Sequence, residues 1–251
     1  YKSTNHNLDY IFDPAIVWSM VSSGRFVARV CEKGYLFDNS SPFLSLEEND
    51  KYNLILSLLN SDVVGYFLYA MNPTLNYMPG NVEDIPVGIP ESTDRIDLLS
   101  DQAVEITRRD WDRQETSWDF EQHPLVQNNA PSLEAAYDAW TEQATDDFFP
   151  LHANEEELNE LFIDLYGLED ELNPRVALDD ITILEDELDR DALDDLDDQW
   201  DELSDEELRD RLPFKIEVPI RQFLSYGVGV MLGRYQLGND GLHIAHPNPS
   251  S

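Results

Sequence analysis

Residues 54–77 read LILSLLNSDVVGYFLYAMNPTLNY, and the spacing of their apolar side chains indicates two consecutive helical segments. Asn60 and Ser61 separate the two segments, and serine is a residue type that caps helix starts. We therefore expect a pair of helices, or one long helix with a joint at Asn60–Ser61. The apolar residues at helical spacing are Leu54, Leu58 and Leu59 in the first segment, and Val63, Val64, Phe67 and Leu68 in the second.

The regions on either side of this helix pair have a different pattern. Residues 72–90 carry four prolines, so an extended loop is predicted there, with a brief strand near Ile85–Val87. Upstream, Ala15–Met20 and Phe26–Val30 are rich in β-branched and aromatic residues, and turn-forming residues follow each run. Residues 14–38 are therefore predicted to form the short strands of a small sheet.

The chain after residue 90 has mainly helical periodicity. Asn154, followed by Glu157, resembles a capping box at a helix start, and Gly167 is a plausible helix end. The pattern predicts helices over 93–113, 132–149, 154–166 and 218–235. Together these elements predict an α+β fold, in which a small β-rich subdomain over about 1–90 precedes a mainly helical region over about 91–251.

The charge of the chain is strongly acidic, with 52 Asp and Glu against 16 Lys and Arg and a formal net charge of −36. Such a surface is expected in concentrated salt, where screening removes most self-repulsion, so the composition favours a salt-loving source. A specific acidic role, such as DNA mimicry or binding of a basic partner, is the alternative. Acids are sparse before residue 90 and densest in 185–211, which is predicted to be a mobile acidic insert or a solvent-facing helix.

The cysteine content and the hydropathy bear on the compartment. The single cysteine, Cys31, excludes an internal disulfide framework and fits a cytoplasmic, reducing compartment. No signal peptide is expected at the start of the sequence. The apolar stretch from Val218 to Leu232 contains Arg221 and is too short to span a bilayer, so we expect a buried helix there and no membrane partner.

Asn72-Pro73 is the stretch nearest to a known catalytic motif. Amino-group methyltransferases hold a flipped base with an Asn-Pro-Pro-Tyr sequence, whose asparagine and prolyl carbonyl accept hydrogen bonds from the target amine. In this chain Thr74 and Leu75 occupy the positions of the second proline and the aromatic residue, and a helix precedes the motif. We therefore expect no catalytic residue here.

Other motif candidates are also better explained by structure than by chemistry. Gly227, Gly229 and Gly233 lie in a helical pattern without the spacing of a cofactor loop, so they are expected to allow close helix packing. The five histidines and one cysteine lack the spacing of a metal site. No cofactor-binding or metal-binding residue is therefore expected in the chain.

A run of serines and basic residues between Trp18 and Tyr35 is unusual in a chain with so few bases. Serine, arginine and lysine are residue types that contact phosphates and base edges. If the run forms a strand, alternation places Arg25 and Arg29 on one face. A nucleic-acid contact and a plain exposed hairpin both remain open on these residues alone. The residues concerned are Ser22, Ser23, Arg25, Arg29 and Lys33.

Five segments of the chain, in this order, resemble the C-terminal part of the adenine-specific DNA methyltransferases of BREX phage-defence systems, the PglX family. They cover most of the chain. The segments are VWSMVSSGRFVARVCEKGYLFD (17–38), LSLLNSDVVGYFLYAMNPTLNYMPGNVEDIPV (56–87), RRDWDRQETSWDF (108–120), ELNELFIDLYGLEDELNP (157–174) and LPFKIEVPIRQFLSYGVGVMLGRYQLGNDGL (212–242).

The resemblance implies that the chain is part of a larger enzyme. That enzyme would transfer a methyl group from S-adenosylmethionine to N6 of adenine in double-stranded DNA, and other BREX proteins would be possible partners. The methyltransferase core, with its cofactor loop and Asn-Pro-Pro-Tyr motif, would lie upstream, so no catalytic residue is carried over to this chain. The acidic segment 185–211 is longer and more acidic than the resemblance leads us to expect.

Within this chain, the resemblance implies a target-recognition portion over about 1–90 and a C-terminal helical region after it. Trp18 and Tyr77 are expected to pack beneath the recognition loops. The alternative is an acidic interaction module, either a DNA mimic or a scaffold of a defence complex, that makes no DNA contact. The residues predicted to contact DNA are Ser22, Ser23, Arg25, Arg29, Lys33, Asn72, Thr74 and Asn76.

Overall fold

The computed structural model of the chain describes residues 8–10, 12–22, 24–38, 40–46, 51–72, 74, 76–127 and 130–243. The chain divides into two compact units. The first unit consists of Tyr1–Val104 and Asn154–Arg175, and the second consists of Glu105–Ala153 and Val176–Ser251. These units are defined by packing, whereas the predicted boundary near residue 90 divides the chain by function and stays a prediction.

A three-stranded antiparallel sheet opens the first unit. Its strands are β1 (Ala15–Trp18), β2 (Ala28–Cys31) and β3 (Phe43–Leu44), in the order β2-β1-β3. Residues 15, 16 and 18 are buried, because β1 is the central strand and packs on the helices of the unit. The prediction of β structure is confirmed for β1 and β2, whereas β3 was not predicted because two residues are too few to show a period.

The helix pair predicted from residues 54–77 is confirmed as α1 (Tyr52–Asn60) and α2 (Asp62–Met71). The two helices are bent by 64° at the break between them. Ser61 lies at the expected joint, but its hydroxyl donates to the carbonyl of Leu58 at 2.7 Å and does not cap α2. In the described part of the chain, no single helix is long and apolar enough to cross a membrane, and α1 with α2 meets that test only as a bent pair.

The proline-rich segment differs from the predicted extended loop. It contains a short helix, α3 (Pro79–Glu83), and Pro79 is tolerated because it occupies the first turn, where its missing N–H has no helical partner. The strand predicted near Ile85–Val87 is wrong. The Tyr166 hydroxyl instead donates to the carbonyl of Pro86 at 2.5 Å and accepts from the Gly88 N–H at 2.7 Å, so a side chain binds this stretch of backbone.

Two long helices, α4 (Asp94–Asp112) and α6 (Leu133–Tyr166), contribute residues to both units. The first confirms the helix predicted over 93–113. The second corrects the prediction of two separate helices, because it runs without interruption through Pro150. Asn154 does not cap a new helix, since its side chain donates to Gln102 at 3.3 Å. The predicted end at Gly167 is confirmed, and this glycine has a φ of 65°.

The acidic segment 185–211 folds into ordered structure within the second unit. It contains α7 (Arg190–Asp197) and α8 (Asp205–Asp210), and α5 (Pro124–Gln127) precedes it in the same unit. Leucines on its inner side are buried, so the helical alternative of the prediction holds and the insert is amphipathic. The buried leucines are Leu188, Leu193, Leu196 and Leu208.

The last helix, α9 (Glu217–Met231), confirms the helix predicted over 218–235, but its expected full burial is wrong. One face is buried, whereas Leu224 is 62% exposed and Met231 is 78% exposed. The prediction of close packing at the small residues is confirmed at Gly229, where a Cβ would lie 2.7 Å from the ring of Tyr235. Gly233 ends the helix with a φ of 75°.

Candidate nucleic-acid interface

The segment 76–77 is attached to the connection between β1 and β2, and both belong to the first unit. Asn76 forms an isolated antiparallel bridge with Val21. The backbone N–H of Tyr77 donates to the carbonyl of Met20 at 2.7 Å, and its hydroxyl donates to the carbonyl of Gly24 at 3.2 Å. Sequence segments more than 50 residues apart are thereby joined into one continuous surface.

Aromatic side chains support this surface from below. The Trp18 indole donates to the carbonyl of Tyr77 at 2.9 Å. The Phe26 ring meets the Tyr77 ring edge to face, with centroids 5.1 Å apart, and lies 6.0 Å from Trp18. Because Trp18 and Phe26 are each 5% exposed, they are core residues and are not available to stack on a base.

Asn72 organises the loop that follows α2. Its amide nitrogen donates to the carbonyl of Asn76 at 3.0 Å and to the side chain of Asn81 at 3.2 Å. Its amide oxygen accepts from the Thr74 hydroxyl at 2.9 Å. Both polar atoms of Asn72 are therefore used within the loop, which makes Asn72 a positioning residue, while Thr74 and Asn76 are exposed.

Arg25 holds the sheet against the joint between α1 and α2. Its guanidinium donates to the carbonyl of Asn60 at 2.8 Å and lies 3.7 Å from the carboxylate of Asp62. The side chain of Asn60 in turn bonds the backbone of Ala28 in both directions, at 2.9 Å and 3.1 Å. Arg25 lies before β2 and not in it, so the expectation that Arg25 and Arg29 share one strand face is wrong.

Arg29 and Lys33 are both exposed and lie farther along the hairpin. Arg29 is within β2 and pairs with Val17, whereas Lys33 lies beyond the end of β2 that faces Ala15. With about 3.3 Å per residue, this end of β2 lies roughly 10 Å from the end that follows Arg25. The structure therefore brings Ser22, Asn72, Thr74 and Asn76 together, and it places Lys33 away from them. Ser23 lies outside the described residues.

An uncharged face of α2 was missed by the sequence reasoning. Tyr66 and Tyr69 are 39% and 77% exposed, and the small residues Gly65 and Ala70 lie on the same side. A helix with apolar residues on all sides is normally buried, so this exposed face is unusual in so acidic a chain. A helical-wheel plot of 62–71 shows it, because residues three and four apart share a face.

No side chain in this region has the features of a catalytic or metal-binding group. Burial, followed in importance by the Glu32 carboxylate, raises the pKa of the Cys31 thiol, which disfavours the thiolate. Among the described residues, no group of three His, Cys, Asp or Glu side chains is arranged to hold a metal ion. The arrangement is suited to binding, through exposed amide and hydroxyl groups and two exposed bases.

Similarity to known proteins supports the resemblance seen in the sequence. No family model matches the chain. The chain is 34% identical, over 251 residues and 97% of its length, to the adenine-specific methyltransferase PglX of Lacticaseibacillus casei (strain Zhang). It is 27% identical, over 249 residues and 98% of its length, to the adenine-specific methyltransferase BrxX of Escherichia coli O9:H4 (strain HS).

The match covers only part of each relative, namely 18% of PglX and 19% of BrxX. The chain thus spans about a fifth of the length of the curated relatives that it matches. This proportion agrees with the expectation that the catalytic motif lies elsewhere. The resemblance is confirmed: along nearly all of its length, the chain is similar to one part of the adenine-specific methyltransferases PglX and BrxX.

Proposed function

We propose that the chain is the target-recognition and C-terminal part of a site-specific DNA adenine-N6 methyltransferase that acts in BREX phage defence. The similarity to PglX and BrxX supports this proposal. S-adenosylmethionine and the catalytic Asn-Pro-Pro-Tyr motif would belong to the part of the enzyme that this chain does not span. The role of this chain would be to find the site in double-stranded DNA.

The joined surface formed by the β1–β2 connection and the loop after α2 carries the proposal. Its exposed groups are the hydroxyl of Thr74 and the amide of Asn76, with Ser22 beside them. Hydroxyl and amide groups form hydrogen bonds with base edges and phosphates over short range. Because this loop is fixed by Asn72 and Tyr77, its polar groups would meet DNA with little loss of conformational freedom.

Electrostatics limit where DNA could approach. A net charge of −36 repels a polyanion, and phosphate contacts weaken steeply with salt. Residues 1–90 contain roughly ten acids and five bases, whereas 91–251 contain roughly 42 acids and 11 bases. Arg29 and Lys33 are exposed in the less acidic part, so they are the proposed phosphate contacts. Arg25 would support the surface, since it is bonded to Asn60 and Asp62.

The test is equilibrium binding of labelled host DNA, methylated and unmethylated, over a series of salt concentrations. We expect Arg29→Ala with Lys33→Ala to weaken binding and to lower the salt slope by roughly 1 for each phosphate contact. We expect Thr74→Ala with Asn76→Ala to weaken binding with little change in slope. The control is Arg211→Ala with Arg221→Ala, which removes the same charge from exposed positions of the second unit. Equal binding by all variants contradicts the proposal.

A second candidate function is an acidic interaction module, and one observation favours it. The segment 185–211 is helical, so its carboxylates lie on a defined surface, as a DNA mimic requires. Four neighbouring carboxylates, together with the larger effect of desolvation, raise the pKa of Asp194. If the chain binds no DNA but binds a basic protein, and if Asp194→Asn with Asp195→Asn weakens that binding, the second function replaces the first.

A further inference from the structure

A small polar cavity lies within the second unit, remote in function from the proposed DNA contacts. Its volume of about 20 Å³ has room for one occupant the size of a water molecule. Charged, amide and aromatic side chains surround it. The lining residues used below are Asp110, Arg113, His123, Trp140, Glu187 and Gln222.

The Glu187 carboxylate leaves one oxygen without a partner in this cavity. Glu187 is 6% exposed, and its Oε1 accepts from the amide of Gln222 at 2.7 Å. Its Oε2 is buried and accepts no hydrogen bond. A buried charged oxygen without a donor costs several kcal/mol, because it has lost its hydration and gained nothing in return. The oxygen therefore needs a donor or a cation.

The backbone around Glu187 keeps this carboxylate in place. The Lys215 N–H donates to the carbonyl of Glu187 at 2.7 Å, and the Asp189 N–H donates to the carbonyl of Pro213 at 2.9 Å. Between them, Leu188 and Phe214 form an isolated antiparallel bridge. Since the segment is fixed on both sides, Glu187 cannot easily rotate its carboxylate out to water.

The charges around the cavity sum to one excess negative charge. Arg109 and Arg113 both bond to Asp147, which is buried, at 3.0 Å and 2.6 Å. These two cations are opposed by three carboxylates, of Asp147, Asp110 and Glu187. His123 adds no charge near neutral pH, because burial lowers its pKa to about 4. One positive charge would therefore balance the cavity.

We propose that this cavity binds one dehydrated monovalent cation of about the size of water, such as K⁺ or NH₄⁺, between Asp110 and Glu187. The free Oε2 of Glu187 is one ligand, and Asp110 supplies the second charge. The Trp140 ring, which lines the cavity, favours a monovalent cation with weakly held water. Mg²⁺ and Ca²⁺ are disfavoured, because they require more oxygen ligands than the described lining supplies.

Thermal unfolding of the 251-residue protein at pH 8 tests the proposal. Equal concentrations of KCl and choline chloride provide the same screening, but choline is too large for the cavity. At about tenfold excess over the dissociation constant, we expect KCl to raise Tm by about 3 °C over choline chloride. Glu187→Gln and Asp110→Asn should each abolish this difference. Glu185→Gln, which removes an exposed charge two residues away, should retain it.

Two results would overturn the proposal. The first is an equal Tm in KCl and choline chloride, which means that salt acts only by screening. The second is a K⁺ effect that persists at pH 5. Desolvation and the Glu187 charge raise the pKa of Asp110 to about 6, so at pH 5 a proton on Asp110 should displace the ion. Stability that rises with acidity and ignores K⁺ means that the occupant is a proton.

Anomalous scattering gives a direct readout that does not depend on unfolding. Thallous ion replaces K⁺ in monovalent sites and scatters strongly, so crystals grown in thallous acetate should show a peak beside Glu187 Oε2. The same crystals of Glu187→Gln should show none. A wild-type cavity without a peak, at a concentration that saturates the Tm effect, overturns the assignment. The DNA-binding proposal is independent of either result.

Discussion

Asn159 and Asp62 bond each other reciprocally across 97 residues of sequence. The Asp62 N–H donates to Asn159 Oδ1 at 2.9 Å, and Asn159 Nδ2 donates to Asp62 Oδ2 at 2.9 Å. Asn159, on α6, thereby does for α2 what an N-cap side chain does in an ordinary helix. Ser61, the residue placed in sequence to cap α2, makes no such bond.

Asn159→Ala should therefore destabilise the protein by about 2 kcal/mol, because it leaves the N–H of Asp62 without a partner in a nearly buried position. Urea unfolding followed by circular dichroism measures the change. The matched control is Asn154→Ala, one turn earlier on α6, whose hydrogen bond to Gln102 is long at 3.3 Å. Equal loss in both variants would contradict the capping role of Asn159.

Gly229→Ala should destabilise the second unit, because the added methyl group would lie 2.7 Å from the Tyr235 ring and would separate α9 from it. A cost of about 1–3 kcal/mol is typical of such overpacking. Gly227→Ala, two residues earlier on the same helix, meets nothing within 4 Å and should stabilise by up to about 1 kcal/mol. Thermal unfolding of both variants checks the opposite signs, and a shared sign would contradict the packing argument.

Asp110 and His123 should give stability two opposing pH dependences. Desolvation raises the pKa of Asp110 from 3.8 to about 6, so between these values the folded state binds more protons and stability falls as pH rises. Desolvation lowers the pKa of His123 from 6.5 to about 4, so in the same range the unfolded state binds more protons and stability rises with pH. Each effect amounts to about 3 kcal/mol.

Single variants should separate the two effects. Asp110→Asn should make stability rise more steeply between pH 4 and 6.5, whereas His123→Gln should make it fall over that range. Urea unfolding at several pH values measures both, in choline chloride so that no small cation occupies the cavity. Parallel profiles for the two variants would show that the groups do not titrate as their burial implies.

Tyr69→Ala should weaken DNA binding by about fivefold, if the exposed face of α2 extends the proposed surface. An aromatic ring on a base or sugar contributes roughly 1 kcal/mol or more, and Tyr69 lies three residues before the polar loop. The control is Trp118→Ala, which removes an aromatic side chain that is 94% exposed in the second unit. Binding that is equally strong in both variants would exclude Tyr69 from the surface.

Local patterns predicted the helices well and their junctions poorly. The periods around Leu58 and Phe67 gave α1 and α2, and the period after residue 93 gave α4. At Asn154 the same rules predicted a helix start, because asparagine and glutamate there match a capping box. The structure continues α6 through this point, because Asn154 and Glu157 bond to side chains of α4. A partner distant in sequence outweighed a local preference.

The candidate site shows the same division. The sequence identified the polar residues around Asn72, but it could not show that Asn72 bonds to Thr74, Asn76 and Asn81 and so is used up within the loop. It grouped Arg25 with Arg29 by strand alternation, although Arg25 precedes the strand. The cavity beside Glu187 was invisible in sequence, since acids are too abundant in this chain for any pair to stand out.

By itself, the sequence determined the α+β class, the positions of most helices, the acidic surface and the resemblance to adenine-specific methyltransferases. These properties follow from composition and from side-chain periods, which are local. Only the tertiary structure decided which polar groups remain exposed and which are consumed, as at Arg25, Asn72 and Asn159. A hydrogen bond needs two groups within about 3 Å, and that proximity is a property of the packed chain.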